Sequence, residues 1–121
     1  MKHNTEYMSK YNLDLLKEQC GYDKTFFNEM VDIFIKSLME GVEKLEEAEQ
    51  KNDRRQLTHY AHKILSPCKH IDAEDLIPLL KEIEDNAETS GLDNDRALYL
   101  VENIRTNADE LVKRLRTEYM S

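Results

Sequence analysis

Leu57-Thr58-His59-Tyr60-Ala61-His62-Lys63-Ile64-Leu65-Ser66-Pro67-Cys68-Lys69-His70 acquires two opposed faces when it is wound at ~100° per residue. Leu57, Tyr60, Ile64 and Cys68, with Ile71 just beyond, gather on one face, and His62 points almost directly away from them. Arg55, Thr58, His59, Ser66 and Lys69 project within about 60° of His62 on the same wheel. The apolar stripe predicts a helix laid on a core, with the histidine on its wet side. An imidazole held outward on a rigid helix, in a row of cations and small polar groups, suits covalent phosphate chemistry.

The same period recurs on both sides of this segment. Upstream, Asn12 is placed to cap a short helix from Leu13 to Gln19, with Gly21 as its stop. Asp23 is placed to cap a long one in which Phe27, Met30, Val31, Phe34, Leu38, Val42 and Leu45 recur at three- and four-residue spacing to about Lys51. Gly41 inside that run costs about 1 kcal/mol relative to alanine, which a close helix contact would explain. Phe26 and Ile33 widen the stripe on one side, and Ile35 and Met39 widen it on the other. Such a width fits a helix packed between two others, or one with an apolar rim for a partner.

Asn52-Asp53 breaks the charged run and caps the His62 helix, which starts at Arg54. Pro67 deletes the bond its N–H would make to the Lys63 carbonyl, so a kink is expected there. Downstream, Asp72 is placed to cap a helix from Ala73 to about Ala87 with Leu76, Leu79, Leu80 and Ile83 inward and Pro78 bending it early. Thr89-Ser90-Gly91-Leu92-Asp93-Asn94 reads as a loop. A last helix is expected from Asp95 to Glu118 on Leu98, Val101, Ile104, Ala108, Leu111 and Leu115. Four helices of about 15 to 28 residues with short joints predict an all-α fold, an up-down antiparallel four-helix bundle with a short extra N-terminal helix. Residues 1–121 form one domain in this reading, with 1–11 frayed.

Composition narrows the function classes. A net charge of −8 argues against a general nucleic-acid surface. The two cysteines are far apart and read as reduced thiols of a cytoplasmic protein. No apolar run approaches the ~20 residues of a membrane span, and the first residues lack the apolar stretch of a signal peptide.

Ala61-His62-Lys63-Ile64, then Ile71-Asp72-Ala73-Glu74-Asp75-Leu76 and Leu79-Leu80-Lys81-Glu82-Ile83-Glu84, resembles the histidine-containing phosphotransfer (HPt) domain pattern. That pattern has Ala-His, an apolar residue two after the His, an apolar-Gly-Ala step nine to eleven after it, then a Leu and a Leu-Glu pair. Here Leu65 and Ser66 stand where the family usually has Lys and Gly, and Asp72 stands where it has Gly. The resemblance implies a phosphorelay carrier in two-component signalling and not an enzyme. His62 would take a phosphoryl group from a receiver-domain aspartyl-phosphate and pass it to another receiver aspartate. No cofactor is expected on this chain; the acidic site and Mg²⁺ would belong to the receiver. Receiver (response-regulator) domains and a hybrid histidine kinase are the implied partners of a monomer.

Lys63 and Lys69 are expected to offset phosphate charge or meet the receiver's acidic rim, and Arg55 to help docking at most. Ser66 is small enough to let a partner loop approach. His59 is a polar neighbour and the rival acceptor, and His70 an ordinary helix-end residue. His62 and Pro67 also repeat the His-x-x-x-x-Pro spacing of sensor-kinase dimerisation helices, which leaves a dimeric phosphoacceptor module as an alternative. That family places an acidic residue after the His, where this chain has Lys63. With three glycines and no Gly-rich nucleotide loop, the chain is not expected to phosphorylate itself from ATP. A metal site from His59, His62 and either Cys68 or His70 is disfavoured because Cys68 projects roughly 120° from His62. A helical scaffold that binds a receiver without covalent chemistry is the remaining reading.

Overall fold

The structure is a computed structural model and describes residues 10–119. The Asn12 side chain accepts the Asp14 N–H at 2.8 Å, and the short helix α1 (Asp14–Gln19) starts there, one residue later than its sequence suggests. Of the stretch expected to fray, residues 1–9 lie outside the described residues. Next to them, the Lys10 carbonyl accepts the Glu74 N–H and the Tyr11 hydroxyl bonds the Glu118 carboxylate. Asp23 caps α2 (Lys24–Gln50) by accepting the Phe26 N–H at 2.9 Å. Asp53 caps α3 (Arg54–His70) in the same way through the Gln56 N–H at 3.1 Å. Both aspartates satisfy donors that the first helical turn leaves open.

α3 runs on through Pro67 to His70 as one helix. It ends at Asp72, whose φ of +53° is the left-handed conformation that glycine adopts most freely. There the Ala73 N–H reaches back to the Cys68 carbonyl at 2.9 Å and the Asp72 N–H to Lys69 at 3.1 Å, a Schellman-type stop. Asp72 therefore closes one helix and does not cap the next. The expected helix from Ala73 is shorter: α4 spans Ile77–Asn86, 10 residues, after a turn at Ala73–Leu76. Pro78 falls in its first turn, where a missing N–H breaks no intrahelical bond. α5 (Asn94–Tyr119) is headed by Asp93, which accepts the Arg96 N–H at 2.7 Å.

α2 packs against α3 and α5, and α4 against the same two, so the four close on one another. The core gathers Leu38, Val42 and Leu45 of α2, Leu57, Ala61, Ile64 and Leu65 of α3, Leu80 and Ile83 of α4, and Leu100, Ile104 and Leu111 of α5. α2 is thus a helix packed between two others. Its Ile35 flank is buried, whereas Phe26 and Ile33 stay 45% and 54% exposed. Leu98, expected in the α5 stripe, is exposed because Ala97 and Leu100 take the inward positions in that turn.

Gly41 shows how tightly α2 and α3 meet. A Cβ on it would stand 2.5 Å from Cγ1 of Ile64, two residues after His62. The first turn of α3 is tied across the bundle by Arg54. Its guanidinium donates to the Ala87 and Leu92 carbonyls at 3.1 and 2.7 Å and to the Asn94 side chain at 2.7 Å.

Candidate functional site

His62 projects from the middle of α3, with Ala61 wholly buried behind it. Its side chain is 75% exposed, and its Nδ1 bonds a carboxylate oxygen of Glu84 on α4. Glu84 is itself only 23% exposed, so the carboxylate is held against the bundle while the ring faces water. A carboxylate can only accept, so Nδ1 carries the hydrogen and the neutral ring keeps its lone pair on Nε2. The free nitrogen is a nucleophile with a fixed orientation.

Glu84 belongs to the sequence pattern, but helical periodicity does not reveal its contact with His62. Antiparallel geometry could have found it. His62 and Glu84 lie eleven residues either side of Ala73, at the turn between α3 and α4, so the two helices bring them to one level.

The other expected site residues spread along α3. Ser66 is exposed one turn further on, and Lys69 is exposed two turns on. At Lys69 the surface forms a groove with His70, Asp72, Leu15 and Tyr22. Lys63 is exposed, but its Nζ lies 5.9 Å from the centre of the Tyr60 ring, on the flank facing α2. His59 meets the same ring edge-on at 4.7 Å. The His70 Nε2 bonds the Gln19 side chain on α1. Arg55 is exposed.

Leu65, in the position where the HPt pattern has lysine, is buried. α3 carries Arg54, Arg55, Lys63 and Lys69 and no acidic residue, in a chain of net charge −8. It is a helix of net positive charge in an acidic chain. Cys68 is buried, which pushes its thiol up to about 12, and it is not presented to the His62 face. Among the described residues no group of three or more His, Cys, Asp or Glu side chains is placed to hold a metal ion.

Two solved structures share this architecture. Histidine-containing phosphotransfer protein B (HptB) from Pseudomonas aeruginosa PAO1 superposes with a TM-score of 0.78 at 22% identity, over 91% of this chain and 94% of that one. The HPT domain from a Shewanella sensor hybrid histidine kinase superposes with a TM-score of 0.67 at 24% identity, over 91% and 96%. No curated protein sequence matches the chain. The family model for the Hpt domain matches residues 29–118. That span runs from the second turn of α2 to the last turn of α5 and includes residues of all four bundle helices, and the chain belongs to the Hpt domain family.

Proposed function

We propose that this chain is a phosphorelay carrier in which Nε2 of His62 accepts a phosphoryl group from a receiver-domain aspartyl-phosphate and yields it to a second receiver aspartate. The observation that carries the reading is the exposed imidazole whose Nδ1 is bonded by Glu84. In the forward step the Nε2 lone pair forms the N–P bond, and the P–O bond to the receiver aspartate breaks with its electrons leaving on that carboxylate. Nδ1 keeps its hydrogen throughout, held by Glu84, so the ring becomes cationic beside a carboxylate and no proton has to move. The reverse step onto the next aspartate follows the same path. Holding one tautomer on a rigid helix supplies orientation, which is the chief demand of an in-line transfer.

The receiver brings the acidic site and the Mg²⁺ that offset charge on the transferring group. Lys69 and Lys63 meet the acidic rim of that site, and Ser66 leaves room for its loops. A hybrid histidine kinase feeds the relay. The carrier acts as a cytoplasmic monomer, a state supported by four helices that close within one chain. The test is transfer from a phosphorylated receiver to wild type and His62→Gln. Acid-labile, base-stable label on wild type alone supports the assignment, and equal label on both refutes it.

A further inference from the structure

The surroundings of His62 also bear on what happens after the phosphoryl group arrives. The positions one turn before and after it on its face are Thr58, His59, Leu65 and Ser66. None of these is a lysine or arginine, and Leu65 is buried. The neighbouring Lys63 has its Nζ over Tyr60 on the far flank, and Lys81 of α4 is paired with Asp85 at 3.6 Å. Arg55 and Lys69 stand two turns away, ~10 Å along the axis. The charge nearest the ring is the Glu84 carboxylate.

We infer that the phosphohistidine of this chain is arranged for rapid onward transfer and not for storage, with Glu84 as the residue that keeps the ring a good leaving group. The inference rests on His62 being the acceptor. A carboxylate at Nδ1 favours the cationic ring, from which the P–N bond breaks with its electron pair returning to Nε2 and a neutral imidazole departing. Without that proton the ring would have to leave as an anion. Among the described residues no lysine or arginine on the His62 face stands within a turn of the ring to offset a dianionic phosphoryl group, so a docked receiver is what supplies that charge. In the absence of a receiver the acceptor is water, which supplies the hydroxyl of inorganic phosphate and releases a proton to solvent.

Two substitutions separate these contributions. Glu84→Gln keeps an oxygen to accept the Nδ1 hydrogen but removes the charge, and Ser66→Lys places a cation one turn from Nε2 at an exposed position. Each is expected to lengthen the half-life of the phosphorylated chain about two- to five-fold, the range of partly exposed charge pairs. The full chain is phosphorylated with phosphoramidate, freed of donor, and followed by ³¹P NMR near neutral pH. A merely structural effect would shift the thermal melt of the unphosphorylated variants without following the half-lives. Half-lives of both variants indistinguishable from wild type, or shorter, overturn the inference. A wild type that takes no label, or a His62→Gln variant that takes as much, overturns the functional reading beneath it.

Discussion

Replacing Gly41 with alanine sets two opposed effects against each other inside the α2–α3 interface. Alanine in a helix interior is favoured over glycine by about 1 kcal/mol. The new methyl would stand 2.5 Å from Cγ1 and 2.6 Å from Cδ1 of Ile64. Carbon atoms rest at about 3.5 to 4.0 Å, so roughly 1 Å of overlap must be relieved. Ile64 is buried and β-branched, with little freedom to turn aside. Overpacking of this kind costs about 1 to 3 kcal/mol, which outweighs the gain and leaves a net loss near 1 kcal/mol.

Urea unfolding followed by circular dichroism should show a lower midpoint at unchanged slope, and the melting temperature should fall by about 3 to 6 °C. Ile64→Val removes the Cδ1 contact, so the double variant should lose less than the sum of the single losses. A Gly41→Ala variant that gains about 1 kcal/mol would show propensity acting alone and refute the close approach of the two helices.

Three further outcomes follow from the same geometry. The bidentate hydrogen bonds of Arg105, at 2.7 and 3.0 Å, hold the Glu46 carboxyl below its ordinary value near 4.5. That stabilisation is complete above the ordinary value and is lost as pH falls through the lowered one. Urea stability of wild type should therefore drop more steeply than that of Glu46→Gln between about pH 5 and 3, and parallel curves would contradict the pairing. Burial raises the Cys68 thiol to about 12, so an alkylating reagent at mildly alkaline pH should modify it only when urea unfolds the chain; fast native labelling would contradict its place in the core. Arg54→Met would leave the Ala87 and Leu92 carbonyls without their donor and should cost about 1 to 3 kcal/mol in the same unfolding assay, with no loss arguing that water replaces the clamp.

Much of the bundle was legible because its signals are local. Asp23 and Asp53 cap their helices through bonds to N–H groups three residues on, and apolar periodicity marked the inward faces of α2 and α3. Gly41 pointed to a close contact before its partner could be named. The outward direction of His62 followed from the wheel alone.

The errors lie where position depends on a neighbour. Asp72 offers the same side chain as a cap, but its left-handed φ commits it to ending α3, and α4 begins later and is shorter. Leu98 fits a helical stripe by spacing, yet the line of contact with α2 and α4 passes through Ala97 and Leu100. Glu84 and Arg54 act across helices, over 22 and 33 to 40 residues of sequence, which periodicity does not register. Folding each helix pair back about its turn would have found two of the contacts. Ala73 is midway between His62 and Glu84, and the Asn52–Asp53 joint is midway between Gly41 and Ile64.

In the proposed relay one nitrogen of one histidine carries the phosphoryl group. This is tested most directly by phosphorylating ¹⁵N-histidine-labelled protein and correlating ³¹P with the ring nitrogens. A single phosphohistidine is expected, at Nε2 of His62, with Nδ1 still bearing its hydrogen. Phosphate on His59 or His70, or on Nδ1 of His62, would contradict it.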